Sequence, residues 1–185
     1  DAVAAMDLGA IKRQKAEKKA LADDGNGVID VWRIEGFEAV KVDESLEGKF
    51  YSGDSYVVKY TYQRSGKEMH ILYFWLGSSS SNDEKGAAAL HAKKMDDEVG
   101  GAATQVRVVM GKEPDHFVRC FHGRLVIHSG GKASGFKNRA DSDAYDLDGT
   151  SLFHVRGSTK DDTRAVQVSE KAASLNSADC FVLQT

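Results

Sequence analysis

Six histidines, two cysteines and a large set of aspartates are the residues in this sequence that could do chemistry. His70, His91, His116, His122, His128 and His154 are scattered along the chain. Cys120 and His122 lie two apart near a predicted helix end, a spacing too common to mark a nucleophile. No phosphate-binding G-x-x-x-x-G-K-[ST], no G-x-S-x-G elbow and no H-E-x-x-H zinc motif is present. The chain reads as a non-enzyme. Aspartate abundance makes calcium the ion to test, since that hard cation takes oxygen ligands. Asp24, Asn26 and Asp30 echo a calcium loop, with Glu35 in twelfth position, but Val28 holds the fifth position and Ile29 replaces the turn glycine. Residues 141–148 likewise lack the glycine and the closing glutamate. Asp96, Asp97 and Glu98 are more telling. They crowd the C-terminal end of a predicted helix, where the helix dipole disfavours anions; the plain reading is helix-end acids with no metal, and the crowding hints instead at a bound cation.

The elements that must position these groups come from ordinary globular composition. Of 185 residues, 41% are hydrophobic and 29% charged, with a net charge of −3. That balance argues against a general nucleic-acid binder, which is usually basic. The longest apolar run, residues 71–76, is far shorter than the roughly 18–20 residues of a membrane span. Cys120 and Cys180 are too far apart for a C-x-x-C motif and are expected to be reduced, buried thiols of an intracellular protein, with a single bridge between them as the alternative. The first residue is Asp1 and no signal peptide is apparent, so a piece of a longer chain is expected.

Residues 1–24 form an Ala-rich lead-in whose Lys12, Arg13, Lys15, Lys18 and Lys19 suit either a solvated linker helix or an anionic lipid surface. Strands are predicted over 28–34, 54–62, 69–76, 105–110 and 124–128. The run 69–76 is almost wholly apolar and fits a central strand covered on both faces. A long helix is predicted over 82–99, closed by Gly100-Gly101, and a short one near Pro114. At about 100° per residue, Ala88, Ala92, Met95 and Val99 share a sheet-facing stripe, with Leu90 nearly opposite, near Gly86, Lys93, Lys94 and Asp97.

A long-period repeat organises the rest. Trp32-Arg33-Ile34-Glu35-Gly36 matches Phe153-His154-Val155-Arg156-Gly157, and Ser52-Gly53-Asp54-Ser55-Tyr56-Val57-Val58 matches Ser177-Ala178-Asp179-Cys180-Phe181-Val182-Leu183. The expected division is a lead-in over 1–24, a complete repeat over 25–131, a polar linker over 132–150 and the truncated start of a second repeat over 151–185. The second copy lacks its own long helix and later strands, so the parent protein is expected to continue, and the copy is expected to need support from the first.

Several ordered motifs resemble the gelsolin/villin family. They are Tyr51-Ser52-Gly53-Asp54-Ser55-Tyr56-Val57-Val58, Trp75-Leu76-Gly77, Asn82-Asp83-Glu84-Lys85, Gly111-Lys112-Glu113-Pro114, Gly135-Phe136-Lys137 and Leu175-Asn176-Ser177-Ala178-Asp179-Cys180-Phe181. The resemblance covers about residues 24–185 and is greatest to the fourth repeat and the start of the fifth. It implies an α+β gelsolin-like domain, with a central mixed sheet of about five strands between one long and one short helix.

The resemblance also implies Ca2+ sites. One would use the main-chain oxygens of Gly53 and Lys132 with the carboxylates of Asp54 and Glu84. From spacing alone the plainer reading stands beside it: Asp54 ends a loop and Glu84 serves the helix N-terminus. Ala178 and Asp179 match the first two ligands in the second copy, whose acidic partner would lie beyond Thr185. A second site, shared with actin, would use Asp96 and the main-chain oxygens of Gly101 and Ala103. The implied actin-binding face carries Leu90, which would enter a cleft on actin, with Gly86, Lys93, Lys94 and Asp97 around it. Lys93 and Lys94 depart from the more apolar family helix.

The sequence is therefore read as a calcium-regulated, actin-binding fragment of a cytoplasmic, cytoskeletal protein that severs, caps or bundles filaments. The rival reading is a gelsolin-like scaffold that has lost actin binding. Anionic phosphoinositide membranes are a further candidate partner, through residues 12–19. No nucleic-acid partner is expected.

Overall fold

The structure is a computed structural model, described here for residues 23–131 and 149–185. The lead-in helix, Lys132 and most of the expected linker fall outside the described residues. Strands β4 (Ser55–Arg64) and β5 (Lys67–Leu76) form a long antiparallel hairpin, joined at Ser65-Gly66 with Arg64 opposite Lys67. Both turn residues have positive φ, 52° and 74°, which matches the right-handed twist of the strands they join. β1 (Val28–Glu35) flanks β4, and β2 (Glu38–Lys41) flanks β1. β6 (Thr104–Val109) lies parallel to β5 and is reached through α1 (Asn82–Glu98). The order β2-β1-β4-β5-β6 makes a mixed five-stranded sheet.

The period of two along β5 divides the core. Ile71, Tyr73 and Trp75 enter one cluster; Leu72 and Leu76 enter the other. On the second face, Ala87, Ala88, Ala92 and Met95 of α1 close over Ile34, Val57, Leu72 and Leu76. Alanine on that stripe lets the helix lie close to the sheet. The opposite face is aromatic. Phe50 stacks on Tyr56 at 4.2 Å and meets Trp75 edge-on at 5.1 Å, and α2 (Asp115–Arg119) adds Phe117 to the same cluster. One long helix and one short helix thus lie on opposite faces, as the resemblance implies. Ala87 joins Ala88 and Ala92 in the buried stripe and Met95 packs half-buried against it, whereas Val99, also expected to face the sheet, lies half-buried at the helix cap outside this cluster.

A second sheet was not foreseen. β3 (Lys49–Tyr51) runs parallel to β7 (Leu125–His128), and β7 runs parallel to β9 (Arg164–Val168). β8 (Ser151–Arg156) pairs antiparallel with β9 and with β10 (Cys180–Gln184). The order β10-β8-β9-β7-β3 therefore mixes strands from both ends of the chain. β3 is too short to show a period, and a parallel partner far along the chain leaves no local pattern. The expectation for the thiols needs one correction. Cys120 is buried, but Cys180 is exposed, because β10 is an edge strand open to solvent on most of its length.

Candidate metal centre and outer helix face

The Ser52-Gly53-Asp54 corner between β3 and β4 is fixed from two sides. Ser52 N–H donates to the His128 carbonyl at 2.9 Å, and Gly53 N–H donates to the Gly130 carbonyl at 2.7 Å. Gly77 N–H donates to the Asp54 carbonyl at 3.1 Å, and Ser79 N–H to the Ser52 carbonyl at 2.9 Å. A Cβ added at Gly77 would fall 2.3 Å from the Ser52 carbonyl oxygen, so this approach requires glycine. Ser55 Oγ then donates to Ser80 Oγ at 3.0 Å, one residue before the helix cap. Three segments, 52–55, 77–80 and 129–131, are interlocked at one corner.

Asp54 is 1% exposed. Its Oδ2 accepts from the Tyr56 hydroxyl at 3.3 Å. Burial, and next the Asp54 charge, push the Tyr56 phenol above its usual range, so it stays a neutral donor. Glu84 sits one turn into α1 and completes a capping box. Its amide donates to Ser81 Oγ at 3.1 Å, and its Oε2 accepts from Ser81 N–H at 2.8 Å. The plainer reading of Glu84, service to the helix N-terminus, thus describes its bonds in this structure. Among the described residues no group of three or more His, Cys, Asp or Glu gathers at one point. A cation at this corner would need main-chain oxygens beside the two carboxylates. That donor chemistry suits calcium, which accepts carbonyl oxygens readily.

At the other end of α1, Asp96 Oδ1 accepts the Ala103 N–H at 2.9 Å and Oδ2 accepts from Gln105 Nε2 at 2.8 Å. The Asp96 carbonyl accepts the Gly101 N–H at 2.8 Å. Asp96, Gly101 and Ala103 are therefore brought together. These contacts use the N–H groups of Gly101 and Ala103, not their carbonyl oxygens, so a cation here would draw on the remaining lone pairs of the Asp96 carboxylate and on carbonyls turned toward it. The three acids that end the helix are partly relieved locally: Lys93 Nζ pairs with Asp97 Oδ2 at 3.0 Å, one turn apart.

The outer face of α1 carries Gly86, Leu90, Lys93, Lys94 and Asp97, all exposed. Leu90 is 68% exposed, and a Cβ added at Gly86 would meet open space. His91, which sequence reasoning left unassigned, places its Nε2 2.7 Å from the Phe37 carbonyl and ties the β1–β2 turn to the helix. No local sequence signal couples those two residues. A groove of about 300 Å³ lies beside this tie, lined in part by Trp32, Lys59, His91, Lys94 and Glu98. In the second copy, Asp179 is held by Asn176 Nδ2 at 2.8 Å and lies 3.1 Å from His154 Nε2. The Asn176 hydrogen bond does most to lower the Asp179 pKa; loss of solvent opposes it next, and the nearby His154 and Arg156 each add a lesser lowering.

Of the Cys120–His122 pair, the thiol is buried. Cys120 Sγ donates to the His116 carbonyl at 3.1 Å, and desolvation pushes its thiol far up from the ordinary value. His122 lies elsewhere, with Nδ1 3.9 Å from Asp161 Oδ1.

This combination of sheet, crossing helices and corner is that of a protein built on the gelsolin repeat, and residues 36–118 match the gelsolin repeat family model. The chain is 60% identical over 144 residues to cytoplasmic gelsolin of Homarus americanus, covering 78% of this chain and 19% of that protein. It is 44% identical over 174 residues to advillin of Mus musculus, covering 94% and 20%. To gelsolin of Gallus gallus it is 41% identical over 174 residues, covering 94% and 22%. The chain belongs to the gelsolin/villin family. It spans about a fifth of the length of these relatives. No helix among the described residues is long and apolar enough to cross a membrane.

Proposed function

We propose that this chain is a calcium-regulated actin-binding segment of a filament severing, capping or bundling protein at the cytoskeleton, and that it is not an enzyme. The observation that carries this reading is the outer face of α1. Leu90 stands out from the fold on a helix whose opposite stripe is fully engaged with the sheet. A large apolar side chain held out on a rigid helix is an anchor for a partner's cleft. Gly86 leaves room for that partner's surface, and Lys93, Lys94 and Asp97 form the polar rim.

Calcium would be held at two places. Asp54, Glu84 and the Gly53 carbonyl, with Lys132 as the fourth donor, form the first. Asp96, with Gly101 and Ala103, forms the second, which the partner would complete. The ion would supply charge that draws oxygen donors together; the protein's own part is the interlocked corner and the Asp96 loop. Residues 25–131 would act as one complete repeat and 151–185 as the start of another. Ala178 and Asp179 would be the first half of a further site. Residues 12–19 would meet anionic phosphoinositide membranes.

Binding to monomeric actin tests the reading. The wild-type chain should form a one-to-one complex in calcium, and Leu90→Asp should abolish it without loss of fold. The scaffold reading draws on the Lys93–Asp97 ion pair across the same face. It predicts no complex from either chain.

A further inference from the structure

Glu113 is a buried carboxylate that the sites above do not use. Its side chain is 0% exposed. Oε1 accepts from Gly111 N–H at 2.8 Å and from Trp75 Nε1 at 3.2 Å. Oε2 has no hydrogen-bond partner, and the Arg164 guanidinium stands 3.7 Å away. A buried carboxylate is costly unless a cation faces it. Here the cation comes from β9, across the junction between the first and last parts of the chain.

Two more polar contacts follow the same line. His122 Nδ1 lies 3.9 Å from Asp161 Oδ1, and Ser129 N–H donates to Gln167 Oε1 at 3.0 Å. Between them Leu125, Val126 and Ile127 pair in register with Arg164, Ala165 and Val166. Gly123 lets the loop before β9 come close, since a Cβ there would fall 2.4 Å from the Lys160 carbonyl oxygen. Apolar burial contributes little by comparison. Every residue of β9 is only half-buried, and β10 beyond it is largely exposed. β9 pairs with β8 over five positions but with β7 over only three, so its join to β7 is the weaker of its two edges, and a join with few buried apolar side chains belongs to the low-stability end of a fold.

We propose that residues 160–168 are a charge-keyed strap that seats on the β7 edge and leaves it together with the β8 strand it stays paired to, with Glu113 as the receptor for Arg164. Seating brings Gln167 onto Ser129 and so steadies residues 129–131, which back the Gly53 corner. Unseating bares the β7 edge and leaves the Glu113 charge without its cation. Arginine suits the position because its charge does not titrate away on burial.

Hydrogen exchange on the full chain, without added calcium, tests this independently of any metal or actin reading. Arg164→Met should raise exchange in 129–131 and 160–168 by about tenfold or more, with β4 and β5 unchanged. Glu113→Gln combined with Arg164→Met should return most of that protection, because a neutral amide needs no cation. Unchanged exchange in Arg164→Met, or equal acceleration of β4 and β5, would overturn the strap. Should Arg164→Met fail to fold, the wild-type chain decides. Under low urea, 160–168 must open with a shallower urea slope than β4 and β5, and a common slope overturns the proposal.

Discussion

Asp96 on the last turn of α1 accepts the Ala103 N–H at 2.9 Å, so one carboxylate binds the helix end to the loop that starts β6. The same residue is the proposed donor to a cation shared with a partner. Its two roles separate by condition. Asp96→Asn keeps an oxygen acceptor for Ala103 but removes the charge. It should lower stability in chelator by less than about 1 kcal/mol, the ordinary value of one such bond. It should weaken calcium-dependent actin binding at least tenfold. Urea unfolding and actin titration of one preparation check both.

Gly86 and Ala88 lie two residues apart on α1 with opposite surroundings. A Cβ at Gly86 meets open space, whereas Ala88 is fully buried against the sheet. Gly86→Ala should raise stability by up to about 1 kcal/mol through helix propensity. Ala88→Leu should lower it by about 1–3 kcal/mol through overpacking. If Gly86 provides clearance for actin, Gly86→Ala should also reduce actin affinity while stabilising the fold. Thermal unfolding beside actin titration reads both.

The capping box at Ser81 and Glu84 is testable without ligand. Ser81→Ala leaves the Glu84 amide without its acceptor and should lower stability by about 1 kcal/mol. Urea midpoints at pH 7 measure it.

His128 lies between Tyr51, stacked at 5.2 Å, and Phe153, edge-on at 5.6 Å. Burial, and next Lys49, hold its pKa below the ordinary 6.5. The unfolded chain therefore binds a proton at that imidazole more readily than the folded one. Stability from this group should fall as pH drops through 6.5, and the loss should level off below the folded-state pKa. His128→Phe should flatten that part of the stability-against-pH curve. An unchanged curve would contradict the assignment.

Much of the first sheet is legible in the residues. The alternation of β5 and the alanine stripe of α1 carry their own periods, and Gly100, with φ of +82°, marks the helix end. The outer face of α1 follows from the same arithmetic. What sequence did not reveal depends on contacts between distant segments. The β7–β9 pairing, the His91–Phe37 tie and the Arg164–Glu113 approach join residues with no shared local pattern. Glu84 shows the same limit at one residue. Its position fits a helix cap and a metal ligand equally, and only its bonds to Ser81 distinguish what it does without a ligand.

The most direct test of the central claim is analytical ultracentrifugation of the chain with monomeric actin, in calcium and in chelator, with Asp96→Ala alongside. A one-to-one complex is expected in calcium, weaker in chelator and in Asp96→Ala. No complex in calcium, with the fold intact, would contradict that claim.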